Sequence, residues 1–452
     1  MASEMSNKVL DNAKKHLLYS MAHLGRIRQE GIRIIVRGED CHVWDIHGNK
    51  YIDAMAGLQV TNVGHGRKEI AQAISRQLED IEYWHMFGST NLPAVQLAER
   101  IDQITPGRLS VSHFCNSGSE ANDSAFKIAR IYHRMRGQGL KHKIIYRNQS
   151  YHGMTMGATS AAGDKAYRAM CEPLVPGFVR IPNCHCYRCF CGREYPSCGI
   201  ECAMALERAI LEEGPETVAA FIVDAVQGSA SGYATPVPEY IPMVWEICRK
   251  YDVLYIDDEV ITGFGRTGRM FAVEHWGVEP DIMTMAKGLS SGYLPIAAAV
   301  MTGEIADVLQ ETMFLHGMTY GGHPTCAASA LANLDIIERE NLAAKAAAME
   351  PYVMERLQDF LDYPIVGEVR GKGMMYALEI VKDKATREAF SAGVPTAAKV
   401  VETAAQRGAI FRVGAFGGAV LICPPLTMTR DLVDQMMAIL QEAVAEASKE
   451  VG

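Results

Sequence analysis

Three short stretches carry residue types that could do chemistry together. In Asp281-Ile-Met-Thr-Met-Ala-Lys-Gly-Leu289, Lys287 ends an apolar run and precedes a turn rich in glycine (Gly288, Gly292). A lysine at a buried strand end loses solvation, its pKa falls, and the neutral amine becomes a nucleophile. The plainer alternative is a side chain that snorkels to water. In Val253-Leu-Tyr-Ile-Asp-Asp-Glu-Val260, followed by Ile-Thr-Gly-Phe-Gly-Arg-Thr-Gly268, three adjacent carboxylates end a second apolar run. That edge is where open α/β sheets bind ligands. Three such charges repel unless some are paired or point apart, and a buried aspartate facing a cationic ring nitrogen would relieve one of them. A metal site or an N-cap cluster are the alternatives, and the lack of a nearby His weakens the metal reading. The third stretch is Asn116-Ser-Gly-Ser-Glu-Ala-Asn122, which follows an apolar run and opens a helix-periodic segment. Free N–H groups at a helix start can hold a phosphate, with Ser119 adding a hydroxyl and Gly118 allowing close approach. A simply capped strand-to-helix turn has the same signature.

The elements around these stretches set their positions. Short unbroken apolar runs at Leu109–Cys115, Lys143–Arg147, Ala219–Val226, Val253–Asp257 and Ile282–Ala286 alternate with helical stretches. Such runs read as strands buried on both faces, so the expectation is an α/β domain with a mostly parallel central sheet. Asp45 to Asp53 reads as a hairpin about a Gly-Asn turn. From about 331 the chain turns helical, with strand-like VGEVRGKGMMYALEIV between helices, which suggests a smaller α+β lobe. The expected division is an N-terminal segment 1–74 joining the small domain, a large domain 75–330 and a C-terminal small domain 331–452.

In this order the motifs resemble the class III (ω-) aminotransferases among the fold-type I enzymes of pyridoxal 5′-phosphate (PLP), from about Val43 to Val444. IDDEVITGFGRTG and PDIMTMAKGLSSGYLP carry the resemblance, and NSGSEAN, YHGMTMGA and TYGGHPTCAA add to it. The resemblance implies that Lys287 holds the cofactor as a Schiff base and shuttles the proton, and that Asp258 faces the pyridine nitrogen. It implies Val260 and Tyr151 on the two ring faces, Gly118 and Ser119 at the phosphate, and Gln227 near the ring hydroxyl. Thr319 would reach the phosphate of a neighbouring subunit, so a homodimer is expected, with a tetramer as a larger alternative. The implied reaction is ping-pong: an amine donor leaves pyridoxamine phosphate, which passes the amino group to a 2-oxo acid. An aminomutase or a decarboxylase is the alternative on the same fold, and a non-catalytic, metal-clipped binding protein the alternative of another class.

Departures from the family bear on the substrate. Arg412 is at a position where an Arg can fork onto the carboxylate of the acceptor. Ornithine and γ-aminobutyrate aminotransferases neutralise that Arg with a Glu, where this chain has Ser229; pyruvate is therefore the expected acceptor. Gln59 stands where many amine–pyruvate enzymes have Trp, and Phe87 is an expected aromatic wall. A polar wall favours an aliphatic or polar ω-amine such as a diamine, a β-amino acid or a taurine-like donor. Taurine–pyruvate enzymes share the VGHGRKEI-like stretch but usually keep the Trp. Asp224-Ala225 replaces the usual Glu-Pro, without an explanation at the level of sequence.

Six of the twelve cysteines crowd into Cys184, Cys186, Cys189, Cys191, Cys198 and Cys202. Their spacings suit structural zinc, an iron–sulfur cluster, disulfides or free thiols, and no metal ligand is assigned. The 452 residues are 48% hydrophobic and 21% charged with net charge −9, an ordinary globular balance. No basic run suggests nucleic acid, no apolar run reaches the ~18 residues of a membrane span, and the first residues do not read as a signal peptide, so the cytoplasm is expected.

Overall fold

A computed structural model describes residues 2–391, 394–414 and 418–450. Its centre is a seven-stranded sheet built from β1 (Leu109–Cys115), β2 (Lys143–Arg147), β3 (Phe178–Ile181), β4 (Val218–Val223), β5 (Leu254–Asp258), β6 (Ile282–Met285) and β7 (Ala297–Thr302). The spatial order is β1-β7-β6-β5-β4-β2-β3, and the pairs β6–β5, β5–β4, β4–β2 and β2–β3 are parallel. β7 alone runs antiparallel to both its neighbours. Every residue of β4, β5, β6 and β7 is buried. That is why these strands lack the alternation of a half-exposed sheet: both faces are covered, so both faces are apolar. The expected mostly parallel α/β sheet is present.

The strand expected over Ala219–Val226 ends at Val223. The chain turns there because Asp224 has other partners. Its carboxylate accepts from Arg147 Nη2 at 2.7 Å and from the Gly228 amide at 2.8 Å. Arg147, at the end of β2, is wholly buried. Asp224 is thus the counter-ion of a buried guanidinium, which accounts for an Asp at the position where the family usually has Glu.

Two smaller sheets flank the centre. Ile35–Glu39, His42–Asp45 and Lys50–Asp53 form antiparallel pairs, the last two making the expected hairpin with Gly48 at φ +85°. Ala409–Ile410 joins this sheet parallel to Lys50–Asp53, so the N-terminal segment is tied to the C-terminal third. Val366–Lys372, Met375–Ile380, Ala419–Ile422 and Arg412–Val413 form the other, its first hairpin turning at Gly373. Among the described residues no helix is long and apolar enough to cross a membrane.

The buried pair yields a test of stability. Asp224→Ala leaves Arg147 charged and uncompensated in the interior, and is expected to cost about 3–5 kcal/mol in urea unfolding, as removal of one partner of a buried ion pair does.

Candidate active site

The C-terminal ends of β5 and β6 meet the start of the helix Gly118–Met135 around a cavity of about 380 Å³. Lys287, Asp258, Gly118, Ser119, Tyr151 and Val260 all line it. Six residues drawn from four separate stretches of sequence therefore converge on one space of a size suited to a cofactor and a small substrate.

The three carboxylates at the end of β5 resolve their repulsion by having different environments. Asp257 is fully buried with neither oxygen hydrogen-bonded; burial, then the charge of Glu259, pushes it well above the carboxylate range. Glu259 is also raised by burial, although its oxygens accept from Thr262 and, at 2.9 Å, from the Val273 amide. Asp258 goes the other way. Burial would raise it, but hydrogen bonds and charge from His152, the Val260 amide and Asn122 outweigh that and hold it below its ordinary value. The contacts are His152 Nδ1 at 2.7 Å, Asn122 Nδ2 at 2.9 Å and Val260 N at 3.0 Å. Asn122 is itself oriented by Thr284 of β6, whose hydroxyl donates at 2.8 Å. One carboxylate held below its ordinary value thus faces the cavity, with its two upward-shifted neighbours beside it in sequence.

Lys287 opens the turn after β6 with φ +42°, a left-handed conformation that costs a non-glycine residue of order 1–3 kcal/mol. The turn is pinned from outside: Asn333 Nδ2 donates to the carbonyls of Gly288 at 2.8 Å and Leu289 at 2.9 Å. Burial lowers the amine to about 8, against the opposing pull of Asp258 and Cys423 and with a small further contribution from Arg412. The side chain lines the cavity, which answers the snorkelling alternative.

At the helix start, Ser117 caps the Glu120 amide at 3.3 Å, and Glu120 in turn accepts from Asn116 N at 2.7 Å. Gly118 and Ser119 open the helix and line the cavity, and as its first residues their amides have no partner within the helix. Ser119 Oγ accepts from the Met154 amide at 3.1 Å, which leaves its proton to donate. A Cβ on Gly118 would lie 2.7 Å from Val260 Cγ1, so the glycine is what lets helix and Val260 share this wall. These features fit PLP: a fixed anion site, an ionised carboxylate for a ring nitrogen, and a desolvated amine for an aldehyde.

Not every expected residue reaches the cavity. Gln227 is fully buried behind the wall, where Nε2 donates to Asn148 O and Oε1 accepts from Asn183, both at 3.2 Å. Gln59 is also buried, its amide bonded to the Tyr233 hydroxyl, and the neighbouring Val60 lines the cavity in its place. Phe87 is 58% exposed and Thr319 is exposed, both outside this chain's cavity. Arg412 lies on the edge strand of the outer sheet, close enough for its charge to act on Lys287 and Tyr151. Residues 415–417, which follow it closely in sequence, lie outside the described residues. His152 and Asn122, which hold Asp258, lie within the YHG and NSGSEAN motifs. Their roles follow only from the convergence of distant strand ends.

This fold and site define a PLP enzyme of fold type I. The chain belongs to the class-III aminotransferases, whose family model matches residues 26–444; these are PLP-dependent enzymes that pass an amino group from an amine donor to an oxo acid. It is 40% identical to the putrescine–pyruvate aminotransferase of Pseudomonas aeruginosa over 443 residues, covering 97% of this chain and 96% of the relative. Among solved structures it is similar to an (S)-enantioselective ω-transaminase from Thermomicrobium roseum (TM-score 0.95, 38% identity, 98% of each chain). It is also similar to the ω-transaminase from Pseudomonas jessenii in complex with PMP (TM-score 0.94, 36% identity, 98% of this chain and 99% of that one).

The lowered pKa of Lys287 has a measurable consequence. With a pKa near 8, roughly one amine in ten is neutral at pH 7, against fewer than about one in a thousand for an ordinary lysine. The rate at which cofactor-free protein captures added PLP, followed by absorbance, should rise with pH and level off above about 8 rather than climb on past 10. Asp258→Asn keeps the shape and removes the charge; it should still bind PLP and should lose activity by about a thousandfold or more, the scale of a lost pre-organised charge.

Proposed function

We propose that this protein transfers the amino group of an aliphatic ω-amine, with diamines of the putrescine type foremost, to pyruvate, with Lys287 as the Schiff-base lysine. PLP supplies an electron sink when bound. Asp258 keeps a proton on the ring nitrogen by charge pairing, and Val260 and Tyr151 confine the ring from either side. Gly118 and Ser119 anchor the phosphate, while Gln227 acts from behind the wall. Once the donor has displaced it, the Lys287 amine is well placed to move a proton at the donor carbon.

The acceptor assignment rests on Arg412. Its nearest polar contact is Met21 Sδ at 3.8 Å, and among the described residues no carboxylate pairs with it. An uncompensated guanidinium near Lys287 suits a small oxo acid's carboxylate. A diamine donor is supported by the 40% identity to the putrescine–pyruvate enzyme and by the cavity lining among the described residues, where Tyr151 is the one Phe, Tyr or Trp side chain.

We further propose a homodimer. Leu315 (85% exposed), Met313 (78%), Tyr320 (61%) and Phe87 gather apolar surface around Thr319, more than a lone soluble chain usually leaves open. In such a pair Thr319 and Phe87 would complete the neighbour's site. The cytoplasm is the proposed compartment, in keeping with twelve unpaired cysteines.

Half-reactions test these assignments separately. Putrescine should bleach the lysine-bound PLP band and pyruvate should restore it, without release of CO₂. Arg412→Met should raise the KM for pyruvate about ten- to a hundredfold, the scale of a lost charged hydrogen bond, and leave the diamine half-reaction nearly unchanged. An equal loss in both half-reactions would argue against the acceptor role. Light scattering should give about twice the chain mass of 49.6 kDa.

A further inference from the structure

Arg370 lies in Val369-Arg-Gly-Lys-Gly, on the strand Val366–Lys372 of an outer sheet, and does not line the active-site cavity. It is nonetheless buried, and every arm of its guanidinium is used. Nε donates to Gly232 O at 2.6 Å and Nη2 to Ser231 O at 3.0 Å. Two acids set the direction of the fork: Glu379 accepts from Nη2 at 2.7 Å and Glu368 from Nη1 at 2.5 Å. Glu379 is held in turn by Arg188 Nη2 at 2.9 Å. Arg188 belongs to the cysteine-rich segment between β3 and the helix Glu201–Glu213; among the described residues no group of three or more His, Cys, Asp or Glu side chains is arranged to hold a metal ion. A planar fork aimed by two carboxylates can meet two successive carbonyls, which a lysine cannot do. Gly232 sits at φ +65°, and a Cβ there would collide with Arg370 Nη2.

The two carbonyls belong to the tip of the loop that follows β4. The base of that loop is fixed independently: the Gly228 amide donates to Asp224 at 2.8 Å and the Gln227 amide to Ala234 O at 3.0 Å. Val226 and Gly228, at the base, line the active-site cavity. The turn bonds of the tip itself are long, 3.3 Å from Ser231 N to Gly228 O and 3.3 Å from Gly232 N to Ser229 O. A cavity of about 120 Å³ lies where the tip meets the outer sheet, so hydrogen bonds to Arg370 hold it there more than close packing does. On its other side the tip abuts the strand Arg412–Val413. That strand has two residues, lies at the edge of the outer sheet, and pairs with Leu421 and Val420. A Cβ on the next residue, Gly414, would lie 3.2 Å from Ser229 O.

We infer that Arg370 is a positioning residue for the oxo-acid half-reaction: it holds the Ser229–Gly232 tip against the strand that carries Arg412, and so sets the guanidinium that meets the acceptor. This rests on the acceptor role of Arg412 proposed above. A two-residue edge strand is hydrogen-bonded along one side, so the group that abuts its end helps to fix where its side chains lie. Asp258 and Lys287 are held by other residues, His152, Asn122 and Asn333, the last through the carbonyls of the Lys287 turn. Loosening Arg370 therefore burdens the acceptor and spares the donor.

The test uses half-reactions of the PLP-loaded enzyme, followed by absorbance. Arg370→Lys keeps a positive charge between Glu368 and Glu379 and loses the fork. It should raise the half-saturating pyruvate concentration about tenfold and leave the putrescine half-reaction within about twofold, since a small misplacement of a binding group is costly only where that group acts. In an Arg412→Met background the same change should add less than about twofold, because a residue acting through Arg412 then has nothing left to position. Glu379→Gln withdraws one anchor of the fork; it should move pyruvate in the same direction and serves where Arg370→Lys does not fold. An unchanged pyruvate response overturns the inference. So does an equal loss in both half-reactions, the mark of a general structural role, or an undiminished effect on top of Arg412→Met. If Arg412→Met alone leaves pyruvate untouched, the acceptor reading fails and takes this inference with it. A pyruvate defect in Arg412→Met with none in Arg370→Lys or Glu379→Gln sinks the inference alone.

Discussion

Everything in the active site depends on keeping one carboxylate charged inside a protein. An isolated buried charge is among the most expensive things a fold can hold, and β5 ends in three acids in succession. The structure meets the cost by dividing them. Asp257 and Glu259 are pushed up by burial, and Asp258 alone is held down by His152, Asn122 and a backbone amide. The alternation of side chains along a strand makes this possible, because neighbours in sequence point to opposite faces. Had all three faced one way, no set of donors could have kept a single one selectively ionised.

That requirement spreads outward. Asn122 must come from the helix Gly118–Met135, and it is set by Thr284 on β6, so helix and strand are locked to the carboxylate before any cofactor arrives. β6 also delivers Lys287, and a lysine in a left-handed turn needs a fixed backbone. Asn333, from the helix Pro324–Arg339, supplies it by binding two carbonyls of that turn. The low pKa of Lys287 and the low pKa of Asp258 have opposite origins: burial lowers the amine, whereas donors oriented in advance hold the carboxylate down against the same burial.

Much of this was legible in the sequence. Apolar runs ending in Asp258 and Lys287 marked the strand ends, and the NSGSEAN turn marked the anion site, because strand ends and helix starts leave local signatures. What needed the fold was convergence. Nothing near Asp258 in sequence points to His152, more than a hundred residues earlier, and nothing near Asp224 points to Arg147. Gln59 shows the limit most plainly. Its position suggested a substrate wall, but Tyr233, far along the chain, takes up its amide and turns it inward.

The buried Arg147–Asp224 pair also joins two parts of the molecule that composition would treat separately. Asp224 lines the active-site cavity, and Arg147, at the end of β2, holds it. Asn183, the residue before Cys184, donates to Gln149 at 2.8 Å and to Gln227, whose chain neighbours Val226 and Gly228 line the same cavity. The cysteine segment is therefore not a detached clip on the surface: through Asn183 it joins the outer support of the catalytic wall.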